Sequence, residues 1–408
     1  MNCRALLLTA LLCVPFAGIG CAGPTKTGIE NRQKANDRLD SFHAQMAYDQ
    51  ASDAFKVGQF KEAQLALANA IERYPDNADF HLLNGRIFLE QSRLEDAARA
   101  FSTAIEKDEE HAEAHYMLGV VFQRWSNDEK AYEAYSVSYQ LENSNTHYLL
   151  ATAESLVALK RYDEVTELVT PRLDYFENNA ALHHLLGQVQ LLQGNMQAAV
   201  PWYREARLLR PDDLMMHKEL IRVLFDAGAF EECYDNLLEY RASNAGNDEA
   251  EDLRMLEARC LALLGRSTDS RNLYLKLSRD MPTNVDVWSE MGALAWELGD
   301  YRRVALCSVR IMALAPDRYE GYMLRGINEQ HHGHHQEALE YFQRATERAD
   351  DSVLPHLLLG VALEEQGNQG DALVAYGNAL RINPDSMEAQ SLFSNLSREQ
   401  ITAVPTDH

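Results

Sequence analysis

Four imidazoles crowd one short stretch: His331, His332, His334 and His335 flank Gly333. Ring nitrogens that close could ligate zinc, nickel or copper. No cysteine or carboxylate completes a fixed ligand set, so the stretch reads as a polar turn. No metal site and no cofactor is expected. Cysteine is the other reactive type. Cys3 and Cys13 lie in an apolar N-terminal run, Cys21 follows that run, and Cys233, Cys260 and Cys307 are scattered through the chain. Their spacing fits no zinc pattern. Buried packing is the first reading of Cys233, and a Cys233–Cys260 disulfide stays open if the compartment is oxidising. The His183–His184 pair falls in a helical pattern and reads as packing. The chain has no G-x-S-x-G, no G-x-x-x-x-G-K-[ST] and no H-E-x-x-H, so no enzyme is expected.

The elements that must carry these residues are clearest in residues 353–386, VLPHLLLGVALEEQGNQGDALVAYGNALRINPDS. Leu359, Gly360 and Leu363 mark one helix, and Gly367 and Asn368 break it. Ala372, Tyr376 and Ala379 mark a second helix, which Pro384 ends. The same pattern recurs when the frame is moved back by the length of this stretch, again and again, with one short slip near 248–250. Position eight is Gly360, Gly326, Gly292, Ala258, Gly187, Ala153, Gly119, Gly85 and Ala51, with only Ile221 out of line. Position twenty is small in most copies, among them Ala63, Ala97, Ala131, Ala199, Cys233, Ala338 and Ala372. Glycine stands at position fifteen in seven copies, Gly58, Gly194, Gly228, Gly265, Gly299, Gly333 and Gly367.

This pattern resembles the tetratricopeptide repeat, a helix–turn–helix unit of about 34 residues. The resemblance implies an all-α chain: a right-handed superhelical solenoid of about ten tandem units over residues 44–386, twenty repeat helices and no strands. Residues 387–398 follow as a capping helix, with Phe393 and Leu396 on its inner side, and residues 399–408 as a frayed tail. Unit four is the weakest copy. Pro171 falls where its second helix should run, which predicts a shortened or kinked helix near residues 169–173.

The chain has 408 residues and a formal net charge of −24. Such a surface repels phosphate backbones, so nucleic acid is not an expected partner, whereas a basic protein surface would be attracted. Residues 1–20 read as a signal peptide: Arg4 supplies the charge, residues 5–16 the apolar run, and Ala17, Gly18 and Gly20 the small residues. The Gly20-Cys21 junction resembles a bacterial lipoprotein signal. That resemblance implies a lipidated Cys21, an anchor in the cell envelope and, with Ala22 following, an outer-membrane lipoprotein facing the periplasm. Cleavage after Ala22, giving a soluble secreted protein, is the alternative. Residues 21–43 then form a tether and a lead-in helix, whose Leu39 and Phe42 would cover the open edge of unit one. Little sequence remains outside the units to hold a catalytic domain.

In the tetratricopeptide family the first helix of each unit lines a concave groove through positions two, five, nine, twelve and thirteen. Carried onto this chain, those positions include Tyr48, Arg86, Tyr116, Arg124, Arg222, Phe225, Arg259 and Trp296. Aromatic residues and arginine dominate binding energy at protein interfaces. The arginines are expected to meet a partner's carboxylate or backbone carbonyl. The function implied is a membrane-anchored scaffold for protein–protein interaction in bacterial envelope assembly or secretion. The alternative is an envelope module for glycan or exopolysaccharide export, which the four tryptophans of the whole chain disfavour.

Overall fold

The computed structural model describes residues 25–243 and 251–403, with side chains described to Arg398. The signal segment with Cys21, the slip at 248–250 and the last five residues lie outside the described residues.

The described residues are helical and contain no strand. In order the helices are α1 (Lys26–Lys56), α2 (Phe60–Arg73), α3 (Ala78–Glu90), α4 (Leu94–Lys107), α5 (Ala112–Arg124), α6 (Asp128–Leu141) and α7 (Thr146–Ala158). Next come α8 (Tyr162–Val169), α9 (Ala180–Leu192), α10 (Met196–Leu209), α11 (Leu214–Asp226), α12 (Phe230–Ser243), α13 (Glu251–Leu263) and α14 (Ser267–Asp280). The last are α15 (Val285–Glu297), α16 (Tyr301–Leu314), α17 (Tyr319–His331), α18 (His335–Thr346), α19 (Leu354–Glu365), α20 (Gln369–Ile382) and α21 (Met387–Ala403).

Three local devices recur through this series. At several junctions the residue closing one unit caps the first helix of the next: Asn77, Asn145, Asn179, Asp213 and Asn284 each accept a hydrogen bond from a backbone N–H of the following first turn, whereas His111 and Arg318 do not. Such a cap satisfies an N–H that has no partner within the helix. The corner between paired helices takes a left-handed backbone at position fifteen, with φ between +68° and +80° at the seven glycines. Ser92, Ser126 and Lys160 hold the same corner at φ +58°, +55° and +59°. Finally, the small residue at position eight lets a ring from the second helix lie on the first. A Cβ on Gly119 would come within 2.6 Å of the Tyr135 ring, and one on Gly326 within 2.6 Å of Phe342. Gly85 and Gly360 are covered in the same way by Phe101 and Tyr376.

The chain divides within α9 into two bodies, one reaching to Val189 and the other starting at Gln190. In the first, Ala44, Ala51, Leu67, Phe80 and Ile87 form a core among α1, α2 and α3, and Leu82, Phe101, Ala114 and Val121 form another among α3, α4 and α5. In the second, one cluster gathers Tyr203, Leu224, Cys233, Leu256 and Cys260. The other runs from Met255 and Ala258 through Tyr274, Phe342 and Tyr376 to Leu396 of α21. Helix α13 contributes side chains to both clusters.

Some expectations need amendment. Helix α1 starts at Lys26, where Thr25 caps it by accepting from Gly28 N–H at 3.2 Å, so it takes in the end of the expected tether. Leu39 and Phe42 do not cover an edge; they are 53% and 62% exposed. At 100° per residue they lie about 140° and 160° around α1 from buried Ala44, on the side facing away from the core. Pro171 acts as expected: α8 stops at Val169 and one 3-10 turn, Thr170–Arg172, follows. Helix α21 continues to Ala403, past the expected stop at 398.

Candidate functional site

In the repeat frame read from the sequence, the first helices are α1, α3, α5, α7, α9, α11, α13, α15, α17 and α19, and the expected groove residues sit on them. Four lie in the first body. Tyr48 stacks on Phe80 with ring centroids 5.1 Å apart, and burial, then Asp79, pushes its phenol above the ordinary value. Arg86 lies over the Phe55 ring at 5.3 Å and pairs with Glu113 at 3.4 Å. Tyr116 packs between Tyr135 and Tyr148, at centroid distances of 5.3 and 5.1 Å. Burial and then the Glu154 carboxylate raise its pKa. Arg124 is exposed at the C-terminal end of α5 and makes no ion pair among the described residues.

The other four lie in the second body. Arg222 pairs with Asp252, which also has Lys218 at 3.6 Å. Burial would raise the Asp252 carboxyl, but these two cations hold it below the usual range. Arg259 grips Glu290 with both arms of its guanidinium, its Nε lying 2.9 Å from Oε2, and this pairing raises the pKa of the guanidinium further. Tyr274 donates its hydroxyl to the same Glu290 Oε2 at 2.8 Å. Burial, then Glu290, pushes the Tyr274 phenol far above the ordinary value. Phe225 packs edge-on against Phe230 at 5.6 Å. Trp296 is partly buried against the core cluster that ends at Leu396.

Phe225 and Arg259 come together. With Ala262, Leu263, Tyr274, Glu290, Leu294 and Glu297 they line an open recess of about 310 Å³ between α11, α13 and α15. Its walls are mostly apolar, and its charge sits in the tied Arg259–Glu290 pair and the exposed Glu297. Chemically it suits one apolar side chain with a polar or cationic group at its rim.

The arginines are therefore not the loose hooks that the sequence suggested. Arg86, Arg222 and Arg259 each bond to a carboxylate of the next unit. Arg124 alone of the four keeps a guanidinium outside any ion pair among the described residues. The sequence reading missed Glu113, Asp252 and Glu290, although opposite charges nearly one repeat apart were there to be found. Trp296 does not line the recess.

The histidine turn is not assembled around a common centre. His331 stacks on Tyr301 with centroids 3.4 Å apart, His332 Nδ1 lies 2.7 Å from the Asn328 carbonyl, and His334 Nδ1 lies 2.8 Å from Glu329, which also pairs with Arg325. Among the described residues no three His, Cys, Asp or Glu side chains are placed to hold a metal ion. Nor is any described helix long and apolar enough to cross a membrane.

No curated protein matches this chain. Solved structures resemble it in architecture. Yeast Tom70 is 12% identical, over 88% of each chain, with a TM-score of 0.45. Pseudomonas aeruginosa pilF is 20% identical, over 50% of this chain and 92% of that one, with a TM-score of 0.40. The structure of Naa15/Naa10 bound to HypK-THB is 13% identical, over 88% of this chain and 66% of that one, just under two thirds, with a TM-score of 0.41. Likeness at this level carries no argument about function. The sequence family is a different matter, because the tetratricopeptide-repeat model matches residues 48–101, 82–145, 147–213 and 323–386, together more than half of the chain. With its recurring helix pairs, capped starts and left-handed corners, this chain belongs to the tetratricopeptide repeat family.

Proposed function

We propose that this protein is a ten-unit scaffold, anchored at a membrane through a lipidated Cys21, that holds a protein partner in a bacterial envelope during assembly or secretion. Tetratricopeptide folds typically serve protein–protein interaction. The observation that carries the reading here is the recess between α11, α13 and α15, where Phe225 and Arg259 meet at positions the family turns toward its ligands. An apolar partner side chain fits beside Phe225, Ala262 and Leu294, and Glu297 at the rim favours a basic neighbour. The net charge of −24 would hasten encounter with such a partner. In the first body, Tyr116 and exposed Arg124 offer a second contact on α5.

The test is capture of the partner from envelope membranes, followed by titration of variants. Phe225→Ala should cost about 2 kcal/mol of binding or more, as truncation of a central anchor does. Arg124→Ala should weaken binding less, and outer-face changes hardly at all. If Phe225→Ala, Tyr116→Ala and Arg124→Ala all bind like wild type while melting normally, the concave faces are not the site. The anchor is tested separately: Cys21→Ala should move the protein from the membrane to the soluble fraction, and unchanged partitioning would refute lipidation.

A further inference from the structure

Two buried thiols face each other where α12 packs on α13. The Sγ atoms of Cys233 and Cys260 are 3.3 Å apart, and both residues are fully buried. Cys233 Sγ also lies 3.4 Å from the Ile221 carbonyl, which accepts its thiol. The same helix pair is joined by an ion pair, Arg241 to the buried Glu257. Packing does not demand a thiol at 233. Position twenty of the repeat is alanine in Ala63, Ala97, Ala131, Ala199, Ala338 and Ala372, all buried. Cys307 shows the contrasting case, a buried cysteine whose thiol burial pushes up to about 12 and which is not bonded to another cysteine among the described residues.

We propose that Cys233 and Cys260 form a disulfide when the chain folds in an oxidising compartment, a modification that ties α12 to α13. A disulfide bond is about 2.05 Å long, so closure asks for about 1.25 Å of approach from the observed separation. The position matters because α13 supplies side chains to both core clusters of the second body, and the bond would fix it to the cluster on its N-terminal side. The oxidant is a disulfide donor, either an oxidoreductase of the thiol–disulfide exchange class or a small disulfide such as oxidised glutathione. One cysteine thiolate attacks a donor sulfur and expels the other as a thiolate. The second cysteine thiolate then attacks the protein sulfur of the mixed disulfide, forming the Cys233–Cys260 bond and releasing the donor's remaining thiol. The two cysteines give up two electrons and two protons, and the donor takes both. Because both sulfurs are buried, exchange happens before α12 docks on α13 or during its local opening. This inference stands apart from the partner-binding reading.

The experiment uses the full chain, unfolded in reductant and refolded with oxidised glutathione. Free thiols are then alkylated in denaturant and the protein is digested for peptide mapping. The expected result is a peptide linking Cys233 to Cys260, with Cys307 recovered alkylated. The oxidised protein should also melt about 5–10 °C higher than the same sample in dithiothreitol, as closing a loop of this size implies. Cys233→Ala, which restores the repeat's usual residue, should abolish that difference. Recovery of Cys233 and Cys260 as free thiols overturns the proposal without need of any variant. A linked peptide with no reductant-sensitive shift overturns the claim that the bond ties the helices.

Discussion

In the first body the corner between paired helices is held by Gly58, Ser92, Ser126 and Lys160; in the second it is glycine at Gly194, Gly228, Gly265, Gly299, Gly333 and Gly367. The geometry hardly changes. Ser92 N–H donates to Leu89 O at 3.0 Å and Arg93 N–H to Phe88 O at 2.9 Å. In the second body Gly299 N–H donates to Trp296 O at 2.9 Å and Asp300 N–H to Ala295 O at 2.8 Å. A left-handed backbone costs a residue with a Cβ about 1–2 kcal/mol. Packing of the helix pair therefore imposes the corner, and glycine only relieves it. Phe101 on Gly85 and Tyr135 on Gly119 are close contacts between the helices that the Ser92 and Ser126 corners join.

If packing dominates, the largest loss should follow from spoiling the contact rather than the corner. Gly119→Leu in the first body and Gly326→Leu in the second should each destabilise by about 3 kcal/mol or more, since the added side chain meets a ring with nowhere to go. Urea unfolding monitored by circular dichroism measures this, and a loss below that at the corners would reverse the ranking. Next, Gly299→Ala should cost about 1–2 kcal/mol. The opposite change sharpens the contrast: Ser92→Gly, Ser126→Gly and Lys160→Gly should each stabilise the first body by about 0.5 kcal/mol, the relief of strain less the added freedom of the unfolded chain. Destabilisation by all three would mean that those corners are not strained.

The smallest effect concerns pH in the second body. His217 is fully buried, and burial and then Arg207 depress its pKa below 6.5, against a weaker opposing pull from Glu239. The ring is neutral when folded, so the unfolded chain takes up a proton first as pH falls. Stability contributed by the neutral ring is complete above about pH 7.5 and declines as pH drops through 6.5 toward the native value. His217→Gln should flatten part of the stability difference between about pH 7.5 and pH 5.5, and an unaltered difference would show that His217 does not titrate in this way.

The helix pairs were legible in the sequence because small residues, glycine corners and Pro171 each act locally. The corners at Ser92, Ser126 and Lys160 carry no local mark; only the repeat frame locates them. Leu39 and Phe42 misled because an apolar residue announces a face, not whether anything covers it. The candidate recess was legible only in part. Phe225 and Arg259 were found from their register, but the arginines' partners belong to the next unit. Tyr274 came into the recess from a second helix, outside the set of groove positions.

The capping residues have a consequence for how such a chain can change length. Asn77, Asn145, Asn179, Asp213 and Asn284 each serve the copy after their own. Where such a cap is present, a stretch one repeat long, cut in any phase, carries one capping position and one corner. A duplication or deletion of that length between such copies would bring a cap and a first turn together again, wherever its ends fall. Recombination between such copies would add or remove whole units without finding a boundary.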